Sequence, residues 1–140
     1  MKRDSNTLDK LITANRFVPL MSNTKWVKLL HLLVENATLI SECRVKLIWE
    51  QGAAERRLVF DENTSYRFDY YDTAMEAMVT GTPRGWYEYK EIEWLDFPRV
   101  TNTGEMAQDV KAIQRQIESI GRFRLALEEG NLRLYAYQRP

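Results

Sequence analysis

Apolar residues recur every three or four positions in three segments, a pattern that predicts amphipathic helices. The repeating positions are Leu8, Leu11 and Ile12 in the first segment, Trp26, Leu29, Leu30 and Leu33 in the second, and Met106, Val110, Ile113, Ile117 and Ile120 in the third. Pro19 ends the first helix, Ser22 or Asn23 caps the second, and Asn102 or Thr103 caps the third. We therefore expect two N-terminal helices and one long helix in the C-terminal half.

Alternation of apolar and polar residues predicts strands in the middle of the chain. Residues 43–50 alternate in this way, and residues 51–55 would close a hairpin onto residues 57–60. Residues 66–70 continue the alternation. Antiparallel pairing of neighbouring segments follows from these short connections.

One shorter helix is predicted between the strands. Thr73 and Glu76 have the spacing of a capping box, which favours a helix over residues 72–79. Residues 80–85 contain two glycines and one proline, and their composition is that of a loop.

A change of alternation frame marks residues 86–98, WYEYKEIEWLDFP. Tyr87 and Tyr89 belong to one frame, whereas Ile92 and Trp94 belong to the other. A bulge or bend near residues 90–91 reconciles the two frames, and Pro98 ends the strand.

The last strands form a hairpin over residues 122–139, with its turn at Glu129-Gly130 or Gly130-Asn131. One face is apolar under either register, with Phe123, Leu125, Leu127, Leu132, Leu134 and Ala136. The opposite face carries Arg122, Arg124, Arg133, Tyr135, Tyr137 and Arg139. With Glu129-Gly130 at the tip, Arg124 opposes Tyr135 and Arg122 opposes Tyr137.

Together these elements predict an α+β fold in which helices pack on a mainly antiparallel sheet built from hairpins. We expect residues 1–140 to form a single globular domain, with residues 1–20 as a loosely attached helical arm.

Composition narrows the functional class. A formal net charge of zero over 140 residues argues against bulk attraction to nucleic acid or to an anionic membrane. Cys43 is the only cysteine, so no internal disulfide forms, which suits a reducing compartment. The longest apolar run, residues 29–34, is far shorter than the roughly 20 residues that span a membrane. We expect a soluble, cytoplasmic protein.

No recognisable catalytic or cofactor motif is present. His31 is the only histidine, and the helical spacing places it on a polar face one turn before Glu35. Cys43 is expected to face the core, where a thiol is inert. One histidine and one cysteine do not make a zinc site, and no phosphate-binding glycine motif occurs. We expect no cofactor and no metal.

Residues 86–97 are the strongest candidate for a functional surface. They hold five of the sixteen aromatic residues of the chain, and residues 87–97 carry four carboxylates and one lysine. Rigid rings dominate the centres of protein interfaces, and a carboxylate rim would select a basic partner. The predicted contact residues are Trp86, Tyr87, Glu88, Tyr89, Glu91 and Glu93. Ordinary burial of the same side chains in a strand is the competing interpretation.

Two alternatives stay open beside protein binding or self-association. Two carboxylates among Glu88, Glu91, Glu93 and Asp96 would serve a small hydrolase if they faced one pocket. Arginine and tyrosine on the C-terminal hairpin are also typical of a platform for single-stranded nucleic acid. Net neutrality makes that second alternative the less favoured one.

Three blocks resemble a family of small, uncharacterised bacterial cytosolic proteins: NTKWVKLLHLL, YKEIEWLDFP and LRLYAYQR, in this order. The residues that carry the resemblance are Lys25, Trp26, Ile92, Glu93, Trp94, Leu134 and Tyr135. It implies a helix followed by an antiparallel sheet and leaves residues 1–20 outside the similarity. Small α+β proteins of this size are often immunity proteins, which cover the active site of a toxin, and this is an analogy of size and class alone.

Overall fold

The computed structural model describes residues 5–36, 39–40, 42–49, 56–59, 74–77, 85–100 and 107–140. Within these ranges the helices are α1 Ser5–Ala14, α2 Asn23–Glu35 and α3 Val110–Glu118, with a 3-10 turn at Tyr89–Glu91. The strands are β1 Val18–Pro19, β2 Glu42–Leu47, β3 Arg56–Val59, β4 Ala74–Ala77, β5 Gly85–Glu88, β6 Ile92–Phe97, β7 Arg124–Glu128, β8 Asn131–Tyr135 and β9 Tyr137–Gln138. The α+β class predicted from the sequence is confirmed.

The central sheet has five strands in the order β3-β2-β6-β8-β7, and each pairing is antiparallel. The order places β6 between two strands that are distant from it in the sequence. β4 pairs with β5, and β1 pairs with β9, in two further two-stranded ladders.

One face of the central sheet forms the hydrophobic core. A row of cross-strand neighbours runs through Val45, Leu95, Leu134 and Leu125, and the first three are fully buried. Buried leucines of α2 and isoleucines of α3 belong to the same core cluster. The predicted apolar positions of α2, and those of α3 from Val110 onward, are therefore the residues that bind these helices to the sheet, because burial of each large apolar side chain favours folding by about 2 kcal/mol.

Helix α2 begins where its cap predicts. The amide of Lys25 donates to Ser22 Oγ at 3.1 Å, so Ser22 is the N-cap. Helix α3 begins at Val110, because Asp109 is its N-cap and accepts from the amide of Ala112 at 3.0 Å. The predicted caps Asn102 and Thr103, and Met106 of the predicted stripe, lie outside the described residues. Ala107 instead forms an isolated bridge with Val100, so residues 107–109 are not helical.

The short helix predicted over residues 72–79 is wrong for its described part. Ala74–Ala77 is a strand, β4, and its residues pair with Gly85–Glu88. A ladder with a nearby strand satisfies the same backbone groups that a helix would satisfy, and here it replaces the local capping signal. The strand predicted over residues 66–70 lies outside the described residues.

Residues 5–20 contact the C-terminal end of the chain. Leu8 is buried in the core, and the rings of Phe17 and Tyr137 lie 5.9 Å apart. Val18 and Pro19 pair with Gln138 and Tyr137 in the β1–β9 ladder.

Candidate functional site

The predicted bend at residues 90–91 is confirmed, and it determines where the aromatic residues of this stretch lie. The 3-10 turn Tyr89–Glu91 separates β5 from β6 and changes the alternation frame. Glu91 is buried, and its carboxylate accepts from the amide of Glu88 at 2.9 Å and from the indole N–H of Trp49 at 3.0 Å. Glu91 therefore holds the turn in place with both of its oxygens.

Tyr89 belongs to the core. Its side chain is 1% exposed, and its ring stacks on Trp26 of α2 with centroids 5.5 Å apart. The bend turns this ring toward the helices, so Tyr89 offers no surface to a partner in this conformation.

Glu93 lies at an irregularity between β2 and β6. The register shifts by one residue between Lys46 and Leu47, so two residues of β6 oppose Lys46. The buried Glu93 carboxylate contacts Lys46 Nζ at 2.7 Å and accepts from Arg139 Nη2 and Nε at 2.7 and 2.8 Å. Burial alone would raise the pKa of Glu93. Hydrogen bonds from Arg139 and Lys46, with the charges of both, outweigh burial and place the pKa below its ordinary value of 4.5.

Asp96 is held differently on the same strand. It is buried, Arg133 Nε lies 3.3 Å from one oxygen, and Asn131 Nδ2 lies 3.3 Å from the other. Burial raises the pKa of Asp96 above its ordinary value of 3.8, although the charges of Arg133 and Arg44 oppose the shift.

These contacts change the picture of an acidic aromatic surface. Of the six predicted contact residues, Tyr89, Glu91 and Glu93 are buried, and Glu88 is half-buried. Trp86 and Tyr87 lie in β5, and their side chains are outside the described part of the structure. Their role as contact residues stays a prediction.

The solvent side of the central sheet carries a surface that we call the polar sheet face. It is defined by Arg44, Lys46, Glu93, Trp94, Asp96, Arg124, Ala126, Glu128, Asn131, Arg133, Tyr135 and Arg139. Two cross-strand rows build it: Arg44–Asp96–Arg133–Ala126 and Lys46–Trp94–Tyr135–Arg124. The alternation of four strands thus brings basic, acidic and aromatic side chains together.

Arg133 is the centre of this face. Its guanidinium lies 3.8 Å from the centroid of the Trp94 ring, and it contacts Asp96 and Glu128, each at 3.3 Å. The hydroxyl of Tyr135 donates to Glu128 at 2.7 Å. Burial raises the pKa of Tyr135, and the hydrogen bond to Glu128 is the next largest cause in the same direction, so the phenol stays neutral. The ring, guanidinium and phenol are therefore fixed by mutual contacts.

Two shallow hollows flank Arg133 and Tyr135. One of about 630 Å³ is lined by Trp94, Asp96, Arg133 and residues around them, and one of about 370 Å³ is lined by Glu93, Arg124, Tyr135, Arg139 and their neighbours. In both hollows carboxylates lie beside cations. Glu93, Asp96 and Glu128 in these hollows are each paired with a lysine or an arginine, and the hydrolase alternative stays a prediction.

The predicted Arg–Tyr set of the C-terminal hairpin is divided by the structure. The turn lies at Glu129-Gly130, and Arg124 opposes Tyr135, as one predicted register required. The prediction that Tyr137 lies on the wet face is wrong, because Tyr137 pairs with Pro19, is buried and donates its hydroxyl to the carbonyl of Lys90 at 2.7 Å. Burial, followed by the charge of Asp9, raises the pKa of Tyr137 to about 12.

Other candidate groups have structural surroundings. His31 lies 2.8 Å from Glu35 on the exposed side of α2, and Cys43 is buried, as predicted. Among the described residues, no three His, Cys, Asp or Glu side chains are grouped so that they could hold a metal ion. In the same part of the chain, no helix has the length and hydropathy needed to cross a bilayer.

Comparisons with known proteins identify a family. A family model described as a family of unknown function (DUF6678) matches residues 8–140. No curated protein and no solved structure matches the chain. The match agrees with the resemblance to an uncharacterised family, but it begins at residue 8 and so includes most of α1, which the resemblance left out.

Proposed function

The chain belongs to the DUF6678 family, a family of unknown function, and we propose that it is a non-enzymatic module that binds a protein partner through the polar sheet face. Trp94, Arg133 and Tyr135 are the anchors of this contact, and Arg44, Arg124 and Arg139 are its rim. Glu88, Trp86 and Tyr87 stay a second predicted contact region on β5.

The observation that carries the proposal is the stack of Arg133 on Trp94. Tryptophan, tyrosine and arginine are the side chains that most often dominate binding energy in protein interfaces. Here all three are half-buried, so each has an exposed part that a partner can cover. Since the contacts with Asp96 and Glu128 already fix Arg133, less side-chain entropy is lost when a partner binds.

The polar sheet face carries charges of both signs, so it favours a partner that also has both acidic and basic groups. Glu93 and Asp96 are compensated inside the chain by Lys46, Arg139 and Arg133. Glu128 is likewise paired with Arg133. The proposal therefore rests on rings and guanidinium groups, and a basic partner is supported only by the exposed Glu129.

Two finer parts of the proposal have narrower support. An immunity-like role, in which the face covers the active site of a toxin, is supported by the size of the chain and its α+β class. A cytoplasmic location is supported by the single, buried cysteine, which leaves no internal disulfide to be formed in an oxidising compartment.

A quantitative pull-down tests the proposal. Tagged wild-type protein and the variants Trp94→Ala and Arg133→Ala would be used as baits in extract of the source cells, with bound proteins counted by mass spectrometry. Arg115→Ala, on the exposed side of α3, is the matched control for the loss of an arginine. We expect a specific protein to be retained by the wild type and the control and reduced about tenfold or more by each face variant.

Two further arms identify the alternatives. Nuclease treatment of the extract and titration with a single-stranded oligonucleotide detect nucleic-acid binding, which would weaken with added salt. A Trp86→Ala, Glu88→Ala double variant examines the β5 region. Full retention of the protein by Trp94→Ala and Arg133→Ala, with loss by the double variant, would move the site from the polar sheet face to β5. Circular dichroism of every bait excludes unfolding as the cause of a loss.

A further inference from the structure

The exposed edge of the central sheet has a self-complementary sequence. Among the described residues, β7 pairs with β8 alone, so its other side is an edge of the sheet. Its sequence is Arg124-Leu125-Ala126-Leu127-Glu128, with opposite charges at its two ends and apolar residues between. Leu127 is 50% exposed, so its side chain is available for contact along this edge.

The hairpin turn determines which backbone groups of β7 point outward. Glu129 and Gly130 both have positive φ, 54° and 86°, as a two-residue type I′ turn requires. The residues that flank such a turn, Glu128 and Asn131, form a hydrogen-bonded pair. Because this pattern alternates, the backbone groups of Leu125 and Leu127 point away from β8 and toward the open edge.

We propose that a second copy of the chain pairs with this edge, antiparallel, β7 against β7, about a two-fold axis at Ala126. In that register Leu125 and Leu127 of each copy exchange backbone hydrogen bonds, and Arg124 opposes Glu128 of the other copy. Across the axis, opposite charges thus face each other and apolar side chains face apolar side chains. This pairing joins the two five-stranded sheets into one.

The register follows from two independent requirements. Only residues whose backbone groups point outward can form hydrogen-bonded pairs, so Leu125 and Leu127 must pair with Leu125 or Leu127 of the other copy. Shifting the axis to either leucine would remove the contact between Arg124 and Glu128. Natural edge strands are usually protected from such pairing by a central charge or proline, and β7 has neither between its ends.

Cross-linking tests the register. At a non-hydrogen-bonded antiparallel pair, the two Ala126 Cα atoms would lie about 4.5 Å apart, within the range of a disulfide. Ala126→Cys should therefore form a disulfide-linked dimer under mild oxidation, and the native Cys43 is buried. Glu129→Cys is the control, because its two copies would lie about 20 Å apart along the paired strands. Cross-linking of Ala126→Cys no greater than that of Glu129→Cys overturns this register.

Sedimentation equilibrium of the purified chain tests the association itself. Five paired residues bury little area, so we expect a weak dimer with a dissociation constant of the order of 10 to 100 µM. Arg124→Glu should raise this dissociation constant roughly tenfold or more, because both charge pairs are lost. The double variant Arg124→Glu, Glu128→Arg should return the constant toward the wild-type value.

Leu127→Pro is the variant that separates pairing from folding. Its backbone N–H points outward, so proline removes no bond to β8 and should abolish the dimer while circular dichroism stays unchanged. A wild-type chain that is monomeric at about 1 mM, well above the expected dissociation constant, overturns the proposal. This measurement uses purified protein alone, so its result is independent of whether the polar sheet face binds another protein.

Discussion

Leu95 and Asp96 are neighbours on β6, and both are almost completely buried, but they are held by different physics. Leu95 lies on the apolar face beside Val45 and Leu134. Asp96 lies on the polar sheet face between Arg44 and Arg133. Leu95 stabilises the fold because its apolar side chain leaves water. Asp96 loses its hydration, and the hydrogen bonds from Arg133 and Asn131 replace that hydration only in part.

The comparison extends to the two buried carboxylates of β6. Glu93 has two cations in direct contact, and its pKa is lowered despite burial. Asp96 has one arginine in direct contact, and its pKa is raised by burial. Each of these two charges therefore depends on particular partners, whereas an apolar core generally accepts apolar side chains of similar volume.

The largest expected effect lies on the apolar face. Leu95→Ala should lower the free energy of unfolding by about 4 kcal/mol, because it removes apolar contacts and leaves a cavity beside Leu134. Urea unfolding measures the loss. Leu127→Ala is the matched control, since the same substitution at a half-exposed position should cost less than about 1 kcal/mol. Equal losses for the two variants would contradict the assignment of Leu95 to a packed core.

The next largest effect is expected at the buried pair of Glu93 and Lys46 on the polar sheet face. Glu93→Leu should cost about 2 kcal/mol, because Lys46 is left buried without its carboxylate while the half-exposed Arg139 can return to water. Adding Lys46→Met removes this buried positive charge as well. The double variant should therefore be more stable than Glu93→Leu alone, as a double-mutant cycle in urea would show. Additive losses would mean that the two side chains do not act as a pair.

The pH dependence sharpens the contrast between Glu93 and Asp96. A lowered pKa means that Glu93 contributes stability above its ordinary value of 4.5 and loses it as the pH falls through the lowered pKa. A raised pKa means that Asp96 favours the folded state below 3.8 and that this contribution is lost as the pH rises through the raised pKa.

Urea unfolding, measured over the pH range in which Glu93 and Asp96 titrate and with variants that remove one carboxylate each, measures both contributions. Relative to wild type, Glu93→Gln should lose stability as the pH rises, and Asp96→Asn should gain it. Slopes of the same sign for the two variants would show that the two carboxylates are held in the same way.

The smallest effect concerns the turn that assigns the residues of β7 and β8 to their faces. Glu129 has φ 54°, a left-handed conformation that asparagine adopts more readily than glutamate. Glu129→Asn should raise the free energy of unfolding by about 0.5 kcal/mol. Glu118→Asn, in the last turn of α3, is the control and should give no gain. A loss of stability in Glu129→Asn would argue against the type I′ turn.

Local patterns predicted much of the fold. The structure confirms the helical apolar stripe of α2, the part of the α3 stripe from Val110 onward and the alternation of β2. It also confirms the end of β6 before Pro98 and the Glu129-Gly130 turn. The change of frame near residues 90–91 predicted the bend that turns Tyr89 inward. These features depend on residues within one or two turns of each other, so the sequence displays them directly.

The errors share a physical cause. The capping-box signal at Thr73 and Glu76 favoured a helix, yet Ala74–Ala77 pairs with β5. Tyr137 was assigned to the wet face by alternation, but the chain bends at Ala136 and Tyr137 pairs with β1. In both cases a pairing partner elsewhere in the chain outweighed a local preference.

The candidate site shows the same division. Trp94, Tyr135 and Glu93 were singled out in the sequence, but the stack of Arg133 on Trp94 was missed. It depends on the pairing of β6 with β8, whose residues are more than thirty positions apart. No periodicity of either strand carries information about that partner.

By itself, the sequence determined which residues of each strand share a face, because side chains alternate along any extended segment. It also determined where the chain bends and turns, because those positions need particular backbone conformations. Only the tertiary structure decided that β6 lies between β2 and β8. That order places Asp96 between two arginines and Glu93 beside Lys46, since electrostatic contacts require closeness in space and the sequence separates these groups by some forty residues.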